Sequence, residues 1–462
     1  MNHLKNVECG FFAISNHDNA PSLTMEGLHS LTHRGKASTG MIIGNGKTLR
    51  GHKGLGIPTN VYSNNLLAGM NGFLAMGLNQ FSRKSDPANT DIPPITVSKS
   101  RWGALSIAFT GNILNAEKLK AQMQNEGAIF QSSNEAEIIL HLIARSKHQE
   151  FAKAFKATIQ KLEGAFVIGL MRPDMLILAS DPCGYRPLSY GQVTNAKPGL
   201  PCYIFSSETC TFDHLGTNFD LKIRFLGEMP PGQIITITPE KIHKEVFAEA
   251  RKASHCIYET VFLARPGSKV FEEPVEVIRR ELGRLLGKQN PLRADIVVPM
   301  PDAGVPIALG FSETTGIPYL PALFRNHYDP LQITKPVTSR ERILYRLNCS
   351  KPWVDGKKIV LIVNSLFTGG SCRAVVELLR SNGAVEVHVV CPALTMSTCK
   401  FGVDIPSENQ LLAAKETTEG IAEIIGANSF TCLPLETFQK IMGTSSHKYC
   451  YSCYEPERLI QI

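Results

Sequence analysis

The sequence predicts two unlike halves, a layered α+β unit followed by a doubly wound α/β unit. Three observations predict this. Short strand-like runs follow one another in hairpin-like succession as far as about Thr238. A strand, turn, helix and strand succeed each other after Lys358, as in a βαβ unit. The chain has 462 residues, more than a single core of about 250–300 residues holds.

In the first half, residues 22–31 and 134–145 carry helical periodicity, the latter through Ile138, Ile139, Leu142 and Ile143. Residues 103–109, 166–171 and 175–179 are apolar or alternating and read as strands. A charged stretch over residues 239–254 reads as helical and marks the boundary, so domains are expected at 9–238 and 239–462. In the second half, residues 294–302 read as a buried strand ending in a polar turn, followed by a helix over 305–314. Residues 358–363 form an apolar strand of the parallel-sheet kind. The turn Asn364-Ser365-Leu366-Phe367-Thr368-Gly369-Gly370-Ser371 then opens a helix over 373–381, and a strand follows over 385–391.

Composition narrows the function classes. The net charge is +7, and the Lys and Arg residues are scattered without a basic run, so no nucleic-acid partner is expected. No stretch of about 18 apolar residues occurs, and the N-terminus lacks a secretory apolar core, so a soluble, cytoplasmic protein without a membrane partner is expected. Twelve cysteines in such a chain direct attention to metal, cluster or catalytic use, with buried thiols as the ordinary alternative.

Three motifs carry chemistry. Thr368-Gly369-Gly370-Ser371 follows a buried strand and opens a helix, where free backbone N–H groups face the positive end of the helix dipole. It reads equally as an anion cradle or as a tight turn. Cys9 begins an apolar run. It is either a core thiol or, if residues 1–8 are a removable propeptide, a nucleophile whose own α-amine is the base. Cys450-Tyr451-Ser452-Cys453 is a redox pair, half a zinc site or half an iron–sulfur site, and no second Cys-x-x-Cys accompanies it. His29 and His33 lack the Glu of a zinc-protease helix and read as a helix-end pair without metal.

Collinear segments from Cys9 to about Glu455 resemble the glutamine phosphoribosylpyrophosphate amidotransferase family. They include Glu8-Cys9-Gly10, His33-Arg34-Gly35-Lys36-Ala37-Ser38-Thr39-Gly40, Phe109-Thr110-Gly111-Asn112 and Leu162-Glu163-Gly164-Ala165-Phe166. Ser180-Asp181-Pro182-Cys183-Gly184-Tyr185-Arg186-Pro187-Leu188, Ser206-Ser207-Glu208-Thr209-Cys210, Phe262-Leu263-Ala264-Arg265-Pro266-Gly267-Ser268 and Pro299-Met300-Pro301-Asp302-Ala303-Gly304 continue the series. The resemblance implies an N-terminal-nucleophile αββα sandwich joined to a type I phosphoribosyltransferase domain. It also implies the first step of purine synthesis: ammonia freed from glutamine displaces pyrophosphate to give 5-phosphoribosylamine. A homo-oligomer is implied with it, and a small phosphate or nucleotide ligand is expected if the scaffold outlasts the reaction.

Carried over residue by residue, the resemblance keeps Cys9 as nucleophile and Arg34 in the glutamine pocket. The family arginine for the glutamine α-carboxylate is Gln80 here, and loss of that bidentate partner weakens recognition. The oxyanion-hole asparagine is Thr110, beside the retained Gly111, and losing such a donor typically costs on the order of 10²–10³ in rate. The aspartate for the substrate amine is Glu135. In the second half the family's Asp-Asp-Ser reads Val363-Asn364-Ser365, and its metal-associated serine is Ala303. A Mg²⁺ site without those carboxylates is not expected to hold metal pyrophosphate in register. The phosphate cradle survives in part as Thr368, Gly369, Gly370 and Ser371, while the flexible loop is altered to Arg325-Asn326-His327-Tyr328-Asp329-Pro330-Leu331-Gln332. In iron–sulfur members four cysteines bind a [4Fe–4S] cluster, and they fall on Cys256, Cys399, Cys450 and Cys453. Changes concentrated at both sites lead to the expectation of a degenerate paralogue in which the family reaction is lost or strongly reduced. An active enzyme with altered residues, or a glutaminase with another acceptor, is the alternative.

Overall fold

The computed structural model describes residues 8–81, 89–197, 201–326, 343 and 345–455. Among these, the N-terminal half builds two facing antiparallel sheets. The first has seven strands in the order Ile223–Glu228, Ser189–Val193, Cys202–Ser206, Gly10–Ile14, Leu74–Gln80, Ser38–Gly44 and Leu49–Leu55. The second has six, in the order Ile242–Val246, Gln233–Ile237, Met175–Ser180, Gly164–Arg172, Leu105–Ile113 and Ile95–Val97.

Alternation along these strands makes three apolar layers. Phe11 and Ala13 point between the sheets with Met76, Leu78, Ala108 and Val167. Phe12 and Ile14 point outward, under the helices Ala20–Ser30 and Cys210–Phe219. On the far side, Ile107, Phe109 and Ile168 pack beneath the helices Ala136–Ala144 and Phe151–Ile159. Helices outside and two sheets inside give the αββα sandwich that the resemblance implied.

Residues 239–254, read as a charged helix, instead contain the strand Ile242–Val246. Its register against Gln233–Ile237 is antiparallel, so it forms an edge of the second sheet. Charges on its exposed positions made it look like a solvated helix. The sandwich therefore continues past residue 238, the expected boundary.

The C-terminal half is built around a four-stranded parallel sheet, Ile296–Pro299, Lys358–Ile362, Glu386–Cys391 and Ser429–Cys432. Both of its faces are covered, as continuous apolar strands require. Val297, Val360 and Ile362 face the helices Val275–Gln289 and Val305–Thr315. Val298, Ile359 and Leu361 face the helices Gly370–Ser381 and Thr418–Ile425. A parallel bridge joins Val297 to Tyr319. The chain thus winds outward in both directions from the gap between Ile296–Pro299 and Lys358–Ile362, which is the topological switch point of a doubly wound sheet.

Candidate active sites and their seam

At the first site, Cys9 immediately precedes the central strand Gly10–Ile14 and is fully buried. Gly10 is opposite Asn79, which puts Cys9 beside the end of the strand carrying Gln80. Burial pushes the Cys9 thiol up to about 12, while the Phe81 backbone, Arg186 and Arg34 pull it down and Glu8 adds to the rise. Gln80 is buried and accepts a hydrogen bond from the Ser38 hydroxyl at 2.7 Å. Thr110 and Gly111 lie on the strand Leu105–Ile113, opposite Val167 and Phe166. Glu135 reaches the end of the same strand and accepts from Ile113 N at 3.2 Å.

Arg34 is committed to other partners. It ion-pairs with Glu208 and donates from Nη2 to Glu259 Oε2 at 2.6 Å. Arg186 donates from Nη1 to Glu259 Oε1 at 2.7 Å. All four side chains are almost entirely buried. Burial would raise the Glu208 carboxyl, yet His33, Arg34 and the Ser268 hydroxyl hold it well below the usual carboxylate range. The Glu259 carboxyl is likewise lowered, against its burial, by Arg34 and Arg186. Buried ions survive only when paired in this way. Sequence reasoning gave no role to Glu208, Glu259 or Arg186. Glu208 and Arg186 lie inside quoted family segments, whereas no local motif marks Glu259.

A loop of the C-terminal half closes this end of the sandwich. Asn112 Nδ2 donates to the Lys400 carbonyl at 2.7 Å, and Asp404 N donates to Glu8 Oε1 at 2.8 Å. Phe401 stacks on Tyr185 with ring centroids 4.2 Å apart. Gly402 (φ +93°) lies against Gly111 (φ +128°), and a Cβ on Gly402 would come within 2.9 Å of the Gly111 carbonyl carbon. Burial raises the Glu8 carboxyl to about 7.

The same loop carries Cys399. Its Sγ accepts from Phe401 N at 3.3 Å and from Val403 N at 3.4 Å. Cys256 and Cys450 are in register on paired parallel strands, His255–Cys256 and Tyr449–Cys450. Met396 N donates to the Cys453 carbonyl at 2.8 Å, tying the Cys399 loop to the C-terminal tail. Burial raises the Cys256 and Cys453 thiols well above the ordinary range. The neighbouring cysteines of the set raise them further. The four cysteines named from sequence are thus gathered from three distant segments. Among the described residues no three His, Cys, Asp or Glu side chains are grouped to hold a single metal ion.

The second site lies at the switch point. Met300 N donates to the Ile362 carbonyl at 2.8 Å, so the turn bearing Ala303 adjoins the end of the strand Lys358–Ile362. Val363 N donates to the Val390 carbonyl at 2.9 Å, and its side chain is buried beside Leu361 and Val389. Asn364 and Ser365 are half-buried beyond it. The twelve-residue helix Gly370–Ser381 starts here, with Thr368, Gly370 and Ser371 exposed and Gly369 as its N-cap. Asp302 pairs with Arg325 at 3.5 Å. His327 to Gln332, and Ser82 and Arg83 after Gln80, lie outside the described residues.

A glutamine amidotransferase domain family matches residues 85–213. The chain is 33% identical to amidophosphoribosyltransferase of Bacillus subtilis over 97% of its own length and 93% of the relative. It is equally identical to the enzyme of that name from Methanocaldococcus jannaschii, with 96% of each covered. The chain belongs to the amidophosphoribosyltransferase family. A relative from Arabidopsis thaliana, named amidophosphoribosyltransferase 2, chloroplastic, is 30% identical over 97% of this chain and 78% of the relative. Two solved structures agree with the fold along its length. One, described as the allosteric regulatory enzyme of purine biosynthesis, superposes with a TM-score of 0.90 at 32% identity, covering 98% of this chain and 96% of the other. The second is glutamine phosphoribosylpyrophosphate amidotransferase from B. subtilis complexed with ADP and GMP, with a TM-score of 0.89, 32% identity, and 98% and 97% covered. As an amidophosphoribosyltransferase fold, the chain pairs an N-terminal-nucleophile glutamine amidotransferase domain with a phosphoribosyltransferase domain. No helix among the described residues is long and apolar enough to cross a membrane.

Proposed function

We propose that this chain keeps the amidophosphoribosyltransferase scaffold but carries the family's metal-dependent phosphoribosyl transfer at a strongly reduced level. The observation that supports this best is the burial of Val363. Where the family has a carboxylate at the switch point, a valine side chain enters the apolar layer beside Leu361 and Val389. Ala303 adds no oxygen, Asn364 adds no charge, and the nearby carboxylate of Asp302 is paired with Arg325. A hard cation wants several charged oxygens, and this edge supplies few. The open helix start at Thr368–Ser371 still suits a phosphate, so phosphate or nucleotide binding outlasts the reaction in this reading.

On the glutamine side Cys9 is retained as nucleophile, while Gln80 offers an amide where a guanidinium would clamp a carboxylate. Arg34 cannot replace that clamp, because its fork is taken by Glu208 and Glu259. Cys256, Cys399, Cys450 and Cys453 fit a [4Fe–4S] cluster: four thiols from three segments converge, and two backbone N–H groups already aim at the Cys399 sulfur. When bound, the cluster would join these segments covalently through iron. A homo-oligomer is proposed from family membership.

The deciding measurement is pyrophosphate release from phosphoribosylpyrophosphate, with ammonia and separately with glutamine. Turnover at least about 100-fold below the ordinary range of 1–10³ s⁻¹ is expected with both donors. Turnover within about tenfold of that range would establish the second reading, an active amidophosphoribosyltransferase. Similarity to enzymes of that name over nearly the whole chain, at 33% identity, favours that reading.

A further inference from the structure

Glu259 follows Cys256 by three residues and belongs to the C-terminal half, yet it is fully buried against the N-terminal sandwich. Each of its oxygens holds a different arginine. Oε2 accepts from Arg34 Nη2 at 2.6 Å, and Oε1 accepts from Arg186 Nη1 at 2.7 Å. Arg34 ends the short turn Thr32–Arg34 after the first helix, and Arg186 lies in the loop following the strand Met175–Ser180. One carboxylate therefore anchors two guanidiniums that reach the seam from separate elements of the other half.

Arg34 packs against the residue that follows Cys9: a Cβ on Gly10 would come within 3.3 Å of Arg34 Cβ. Charged groups whose fields reach the Cys9 thiol include Arg186 from the loop after Met175–Ser180, Arg34 from the first-helix turn and, while residues 1–8 remain attached, Glu8. Arg186 also donates to the Phe401 carbonyl at 3.4 Å.

We propose that Glu259 is a positioning residue for Cys9: it holds Arg34 and Arg186 beside the nucleophile from across the seam, so the glutaminase centre is complete only when the C-terminal half is docked. The inference rests on the reading of Cys9 as a nucleophile, and it is independent of whether phosphoribosyl transfer survives.

Two physical roles predict opposite outcomes. If Glu259 only balanced charge, neutralising it would leave two arginines uncompensated near Cys9 and make the thiolate more accessible. If Glu259 positions the arginines, its loss lets them move away and makes the thiolate less accessible.

The experiment measures alkylation of Cys9 by iodoacetamide in the full native chain purified without air. Peptide masses give the rate as a function of pH, expressed as a ratio to the core thiol Cys202. Using the ratio removes any general loosening of the fold. In Glu259→Gln the ratio should fall about tenfold at a given pH, with the titration midpoint moved upward by the equivalent of one pH unit. Glu259→Asp, which keeps the charge with a shorter reach and a smaller risk to folding, should lie between parent and Gln variant. A ratio that is unchanged or higher in both variants, with the midpoint unmoved or lowered, overturns the positioning role alone. Cys9 labelled no faster than Cys202 in the parent overturns the nucleophile reading, and the positioning role with it.

Discussion

At the scale of single residues, burial of carboxyls decides how this protein responds to pH. Glu8 and Glu228 are raised from 4.5 to about 7, and Asp181 from 3.8 to about 6, with burial the main cause in each. Their folded forms keep a proton that the unfolded chain has already released. Their contribution to stability is complete below the unfolded pKa and is lost as pH rises through the folded one. Stability in denaturant should therefore decline between pH values of about 4.5 and 7, and Glu228→Gln should flatten part of that slope. The amide can still accept the Ser189 hydrogen bond now made to Oε1 at 2.8 Å. An unchanged slope in the variant would remove Glu228 from the explanation. Glu208 and Glu259 have the opposite sign: their pairing stabilises above the unfolded value and fails on acidification. Residue identities at both sites were legible in the sequence, including Gln80, Thr110 and Val363. The commitments of Arg34 were not, because a side chain's partners do not follow from its motif.

At the scale of elements, the loop over residues 399–405 ties the two halves together beside the Glu259 ion pairs. It meets Glu8, Gly111, Asn112, Tyr185 and Arg186, and it presents Cys399 with two N–H donors. Phe401→Ala removes a buried ring from its stack on Tyr185 and should cost about 3–5 kcal/mol in denaturant unfolding. The same variant should retain less iron per chain, since loss of the ring frees the loop that holds the residue 401 N–H against the Cys399 sulfur. Parental stability and iron content would mean the loop is held by other contacts. Most strands and helices were visible as periodicity, whereas the edge strand Ile242–Val246 was mistaken for a helix. Charged residues on an exposed edge carry no clear period, so pairing with Gln233–Ile237 decided the outcome.

At the scale of the whole molecule, cysteines on three segments converge where the sandwich, the parallel sheet and the C-terminal tail meet. A cluster bound only by the folded chain stabilises it by mass action, by about 3–4 kcal/mol when held 100–1,000 times above its dissociation level. Removing iron anaerobically with a chelator should lower the melting temperature and expose the tail around Cys450 and Cys453 to protease. An unchanged melting temperature, or a protein isolated without air that is free of iron, would sink the cluster assignment. The sequence by itself determined the family, the two sheet types and which residue types stand at each position of the candidate sites, because each is read at one position or along one short period. Only the tertiary structure decided that Arg34 serves Glu208 and Glu259, and that residue 404 caps Glu8. Those partners stand 174, 225 and 396 positions apart in the chain, and no local pattern encodes a contact that packing alone creates.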